Sequence, residues 1–264
     1  MFSFAEQSYG ARREDSAERQ RGLSCNVWET FSFRYYKMRF KIGLKMKLKV
    51  KAVIFDMDGV ITNTMPDHFR AWCNVLAQEG ISVSYYDIYS REGQRGIDSI
   101  KEIFQKYRKP FAFKKAKVIL KRKEEYFKRI VKTRFIPGSR SFLKRLSQEN
   151  FKLALVTGTA RHELKRILPA YLLKVFSVVI TGSDVRNGKP HPEPYLKALH
   201  RLKLKAHEAA AVENAPFGIQ SAKKAGLKCL ALETSLAKKY LSEADYIFHS
   251  FKQFKKQVQF SYDA

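Results

Sequence analysis

The stretch "VIFDMDGVITNT", residues 53–64, closes a short apolar run with Asp56 and Asp58 and then turns at Gly59. On an extended chain, side chains at i and i+2 point the same way, so the two carboxylates converge on one small volume. Their repulsion there calls for a cation or a proton. Asp and Gly are also ordinary turn residues, so D-x-D-G taken alone describes a solvated strand end equally well.

Three further apolar runs end in residues of complementary chemistry. "FKLALVT" (151–157) leads into Thr157-Gly158-Thr159 ahead of a helical pattern. Hydroxyls and backbone N–H groups at a helix N-terminus suit a phosphate. After "VFSVVIT" (175–181), the loop "GSDVRNGKPHPEPYL" carries Lys189, a compact positive charge. "AAAVE" (209–213) ends at Glu213-Asn214, oxygen ligands for a hard cation. Each has a plainer account: Thr157 as a cap, Lys189 on the surface, Glu213-Asn214 as a turn before Pro216. Four successive strand ends with carboxylates, hydroxyls, an ammonium and further oxygens favour a magnesium and phosphate site instead.

Such residues meet only if a scaffold gathers strand ends. "KAVIFD" and the three later runs are apolar on both faces, as strands inside a parallel sheet are. "KCLALE" (228–233) and the weaker "DYIFHS" (245–250) extend the series. Helical patterns alternate with them: Phe142, Leu143 and Leu146; Leu164, Ile167 and Leu168, stopped by Pro169; Leu196, Leu199 and Leu202; and "PFGIQSAKKAG", ended by Gly226. Alternation of this kind predicts an α/β fold, a parallel sheet flanked by helices.

Between the first two strands, helical spacing prevails. Phe69, Trp72, Cys73 and Leu76 mark a helix begun near Pro66. Ser99 and Glu102 suggest a capping box ahead of Ile100, Ile103, Phe104 and Tyr107. Ile119, Leu120, Phe127 and Ile130 line a long basic helix before "FIPGS" (135–139). The expected organisation is an α/β core of 46–64 and 136–264 carrying a helical cap over 65–135. An insert rooted at the carboxyl end of a strand lies over the crevice where open α/β sheets bind ligands, placed as a lid.

In order and separation, D-M-D-G-V, V-T-G-T, G-K-P-H-P-E-P-Y and E-N-A-P-F-G-I resemble the haloacid dehalogenase superfamily of phosphoryl-transfer enzymes. The resemblance spans about residues 51–258. "FDMDGVITNTMPDHFRAW" is similar to the subgroup of beta-phosphoglucomutase and small sugar-phosphate phosphatases, which has a Rossmann-like core and a helical cap. It implies Asp56 as nucleophile, forming an aspartyl-phosphate, and Asp58 as acid and then base. It implies Mg2+ held by Asp56, the Asp58 carbonyl and Asn214, with Glu213 ligating or just behind. It implies Thr157, the Gly158 N–H and Lys189 on the phosphoryl oxygens.

The chain departs from the family in two places. Asn214 stands where an Asp is frequent, which removes one negative charge from the metal site, and Asn63 replaces an Asp of beta-phosphoglucomutase. In the cap, His68 matches a histidine that couples substrate binding to closure in the mutase, with a solvent-side helix residue as the alternative. Lys123 falls near the mutase's cap lysine on a lysine-rich helix. The mutase's cap arginine aligns with Gly96, leaving Arg95 one residue away. A mutase needs cap contacts to a second phosphate, so the displaced arginine favours a phosphatase over a phosphosugar mutase. A nucleic-acid-binding protein on the same scaffold is a third account, and a phosphonatase a remote fourth.

That third account rests on charge alone. The 264 residues carry 51 Lys and Arg against 25 Asp and Glu, a net +26 with a pI near 10.0. The basic residues are spread along polar helix faces without a nucleic-acid motif, so a solvated surface and a small phosphorylated metabolite are expected. Hydrophobic residues, at 45%, suffice for a core, and no run approaches a membrane span. Cys25, Cys73 and Cys229 form no C-x-x-C pair, which points to a reducing, cytoplasmic setting without a disulfide framework or zinc site. A monomer is expected. Residues 1–45 lack a secretory pattern and are read as disordered or upstream of a true start near Met46, with a membrane-surface segment as the alternative.

Overall fold

The computed structural model describes residues 45–262, so the expectations for residues 1–44 lie outside the described range. Strand β1 (Met46–Lys49) alternates buried and exposed positions, and β2 (Ala52–Phe55) is buried throughout. Four helices follow: α1 (Met65–Ala77), α2 (Tyr85–Tyr89), α3 (Gly96–Lys106) and α4 (Phe113–Ile130). The chain then runs through α5 (Ser139–Gln148), β3 (Lys152–Val156), α6 (Arg161–Ile167), α7 (Ala170–Leu173) and β4 (Val178–Ile180). Next come α8 (Glu193–Leu202), β5 (Ala209–Glu213), α9 (Pro216–Lys224), β6 (Lys228–Leu232) and β7 (Tyr246–Phe248). Helix α10 (Phe251–Gln257) leads into β8 (Val258–Ser261).

Six strands form one parallel sheet in the order β4-β3-β2-β5-β6-β7. This is the Rossmann-like α/β architecture expected from the alternating runs. Central β2 pairs with β3 on one side and with β5 on the other, where Ile54 faces Ala211 and Phe55 faces Val212. Alanine is a weak strand former, yet Ala209–Glu213 is buried at every position. Burial between helical layers decides its conformation, and small side chains let those layers approach.

A second parallel pair, β1 with β8, places Met46 opposite Val258 and Leu48 opposite Phe260. The M-K-L-K alternation was its available sequence signal. Beneath it, Phe142 packs against Phe251, Phe254 and Phe260 with ring centroids 5.2–6.4 Å apart.

In the inserted helical layer, Trp72 and Leu76 of α1 and Ile119 of α4 share one buried cluster, while Phe69, Cys73 and Leu120 are partly buried against it. The capping box expected at Ser99 and Glu102 does not form. Helix α3 begins earlier, at Gly96, and Ser99 Oγ donates to Gln94 Oε1 within it. The box lies instead at Ser84 and Asp87, where each side chain accepts from the other residue's backbone N–H. Leu196, assigned to the apolar face of α8, is 48% exposed, while Leu199 and Leu202 are buried. Two strands of linker tie the layer to the core: Asn63 N donates to Arg134 O at 2.8 Å, and Ile136 N to Ile61 O at 3.0 Å.

Candidate active site

Parallel β2, β3 and β5 bring their carboxyl ends together, and the side chains just past those ends converge. Asp56 N donates to Val212 O at 3.0 Å, which continues the β2–β5 ladder to the carboxylate itself. Gly59 then turns the chain at φ +80° and donates its N–H to Thr62 O at 2.6 Å. A side chain there would be strained and would collide with Asn214 and Ser235.

Lys189 reaches this floor from the loop after β4 and is 1% exposed. Its Nζ donates to Asp56 Oδ1 at 2.6 Å, Glu213 Oε1 at 2.6 Å and Val156 O at 3.2 Å. All three ammonium donors are thereby engaged. Glu213 also accepts from Tyr195 OH at 2.6 Å and, through Oε2, from Asn214 N at 3.1 Å. With both oxygens accepting, Glu213 orients Lys189 and stands behind the expected ligand set rather than presenting a free oxygen.

Asp58 has different company. Thr64 Oγ1 donates to its Oδ1, Thr159 Oγ1 donates to its Oδ2 at 3.1 Å, and His68 Nε2 stands 3.5 Å from Oδ1. Burial alone would raise its pKa, but His68, Thr64 and Thr159 more than offset that and hold it below the ordinary value. Burial raises the Asp56 pKa, with Glu213 and Asp58 adding to the effect and the Lys189 ammonium opposing it. Burial also works against the Lys189 charge, yet Asp56 and Glu213 outweigh it and the ammonium stays protonated well into alkaline pH. The two aspartates thus differ in proton affinity because one is hydrogen-bonded as an anion and the other sits among carboxylates.

The donor set fits a hard cation. Asp56 Oδ2, Asn214 Oδ1 and Glu92 Oε1 are buried oxygens without a hydrogen-bond partner among the described residues. Buried oxygens of this kind are costly unless something positive meets them.

On the opposite wall, His68 of α1 stacks on Phe127 of α4, ring centroids 4.0 Å apart. Its Nδ1 lies 3.0 Å from Lys123 Nζ, an ammonium that can only donate, so Nε2 carries the imidazole proton toward Asp58. Burial, then Lys123, lowers the His68 pKa, with Asp58 and Asp67 opposing the shift. Burial lowers the Lys123 pKa as well. Thr157 and Gly158 lie where the strand ends meet this layer. Thr157 Oγ1 accepts from Thr159 N at 3.1 Å, and helix α6 begins at Arg161, later than the spacing suggested. Arg95 lines the rim, where its guanidinium donates to the Arg186 carbonyl instead of reaching across the cavity.

Asp58, His68, Trp72, Lys123 and Gly158 line a cavity of about 340 Å3 between sheet and cap. Sequence reasoning gave no role to Thr64 and Tyr195, although they close V-I-F-D-M-D-G-V-I-T-N-T and G-K-P-H-P-E-P-Y, nor to Glu92 and Ser235, which lie outside the strand-end motifs.

The model of the haloacid dehalogenase-like hydrolases matches residues 53–232, which contain the paired aspartates, Lys189 and Asn214. The chain belongs to that family. Among relatives of this haloacid dehalogenase-like hydrolase is a phosphorylated carbohydrates phosphatase of Thermotoga maritima. It is 33% identical over 184 residues, 68% of this chain and 83% of that one. A beta-phosphoglucomutase of Bacillus subtilis is 29% identical over 67% of this chain and 81% of its own. For the fold, the crystal structure of beta-phosphoglucomutase from Clostridium difficile superposes with a TM-score of 0.68 at 24% identity, covering 77% and 92% of the two chains.

Proposed function

We propose that this hydrolase is a Mg2+-dependent phosphomonoesterase for a small phosphorylated sugar or related metabolite. The observation that carries it is Asp56: one oxygen is held by Lys189 and the other is unpartnered, two residues before Asp58, which lines a cavity sized for one small molecule. Asp56 Oδ attacks phosphorus and the ester P–O bond breaks. The proton of the phosphomonoester monoanion passes through Asp58 to the departing oxygen, leaving an aspartyl-phosphate, a free alcohol and Asp58 ionised again. Asp58, now a base, takes a proton from water, whose oxygen attacks phosphorus and frees Asp56. Thr157 and the Gly158 N–H hold the phosphoryl oxygens as charge develops, joined by Lys189, whose donor to Asp56 Oδ1 is freed as that oxygen bonds to phosphorus. Asp56, Asp58 and Asn214 would hold Mg2+, which supplies the positive charge that lets a carboxylate approach a phosphate.

Hydrolysis is favoured over phosphosugar transfer by what the cap offers the far end of a substrate. Arg91 is tied to Glu102 at 3.1 Å and to the Asp87 carbonyl at 2.9 Å, and Arg95 is turned to Arg186. Glu124 and Glu163 line the same cavity. Carboxylates accept hydroxyl donors and repel a second phosphate. One feature favours a mutase: the His68–Lys123 pair beside Asp58 lies where a cap signal could govern the acid.

The test is phosphate release from a panel of sugar phosphates with and without Mg2+, following glucose 6-phosphate formation from beta-glucose 1-phosphate in the same wells. Mg2+-dependent release is expected. Isomerisation without release would overturn hydrolysis in favour of the mutase.

A further inference from the structure

Asn214 is anchored from across the cleft. Its Nδ2 donates to Glu92 Oε2 at 2.8 Å and to Ser235 Oγ at 2.7 Å. A carboxylate only accepts, so the amide nitrogen must face Glu92 and Oδ1 must face away. That Oδ1 is one of the unpartnered buried oxygens. Glu92 belongs to the inserted layer, on the loop between α2 and α3, and is 5% exposed.

The remaining Glu92 oxygen, Oε1, is also unpartnered and stands over the turn after Asp58, 2.9 Å from where a Cβ on Gly59 would lie. The next residue seats the loop on the core. A Cβ on Gly158 would fall 2.5 Å from the Gly93 carbonyl oxygen, and one on Gly93 would fall 2.5 Å from Lys189 Cδ. Backbone meets backbone there, with no side chain between.

Asp56 offers a cation one charged oxygen and Asn214 a neutral one. Divalent hard cations are held by accumulated negative oxygen ligands, and Glu92 brings a second carboxylate from the cap. We propose that Glu92 is a cap-borne carboxylate of the cation centre, so that cation binding and seating of the cap on the core promote each other. This rests on the Mg2+-dependent reading above. Reciprocity follows from linkage: a cation that prefers the seated form by some factor shifts the cap toward it by the same factor.

The experiment titrates Mg2+ into the full chain by calorimetry, for wild type and Glu92→Gln, and follows amide hydrogen exchange over residues 90–96 at each end point. Glu92→Gln keeps the shape and an acceptor for Asn214, so it tests charge without emptying the site. Expected are a fall of roughly tenfold or more in Mg2+ affinity, the range for groups supporting a metal site, and loss of the Mg2+-induced protection of residues 90–96 seen in wild type. Affinity within about twofold of wild type, with protection retained, would overturn the proposal. Both readouts are independent of turnover. A wild type that binds Mg2+ but hydrolyses no sugar phosphate would therefore sink the phosphatase reading and leave Glu92 to be judged by its own result.

Discussion

Lys189 Nζ and Asp56 Oδ1 stand 2.6 Å apart with both residues buried, which makes this ion pair the electrostatic centre of the site. The lysine also balances Glu213 at 2.6 Å. Lys189→Met should leave two buried carboxylates without a cation, at a cost of about 3–5 kcal/mol. Urea unfolding would show it as a lowered midpoint, and an unchanged midpoint would contradict the pairing.

Asp56→Asn preserves the shape and one oxygen acceptor for Lys189 but removes the nucleophile. Phosphate release should fall by about 1,000-fold or more, while circular dichroism and the unfolding midpoint stay close to wild type. Residual hydrolysis near the wild-type rate would point to a different attacking group.

Gly158 lies against the cap loop, where an added Cβ would meet backbone atoms of Gly93 at 2.5–2.9 Å. Backbone cannot swing aside as a long side chain can. Gly158→Ala should hold the cap off the core, lowering kcat/KM by about 100-fold, a typical penalty for a misplacement near 1 Å. Steady-state kinetics beside a thermal melt would separate this from unfolding, since the melt should barely move.

Asp87 ties the cap together: its carboxylate accepts from Ser84 N at 2.9 Å, Ser84 Oγ at 2.7 Å, Tyr107 OH at 2.9 Å and the Lys106 ammonium. Burial alone would raise its pKa, but Lys106, Ser84 and Tyr107 more than offset that and depress it far below 3.8. A depressed folded value means stability that is fully present above the unfolded pKa and lost as pH falls toward the folded one. Asp87→Asn should therefore cost about 2–3 kcal/mol at neutral pH and less on acidification below about pH 4. Urea midpoints of both proteins from pH 7 to pH 2.5 would test this, and a gap that stays constant with pH would refute it.

The strands, most helices and the Asp56–Asp58 pair were legible because they depend on local patterns. Alternation, 3.6-residue spacing and the doubly apolar strand are written in neighbouring residues. By itself the sequence determined a parallel α/β sheet with a helical insert after the first strand, and hence which strand ends share a crevice. It misplaced the capping box, because Ser99 bonds Gln94 once α3 starts at Gly96. It overlooked the β1–β8 pair, whose strands lie about two hundred residues apart. Only the tertiary structure decided that Glu213 holds Lys189, that Arg95 turns to Arg186, and that Glu92 meets Asn214 across 122 positions of chain. Those contacts join segments whose spacing carries no periodic signal. Which side chains meet across the cleft is set by how the inserted layer packs on the sheet, a property of the folded molecule rather than of any stretch of its chain.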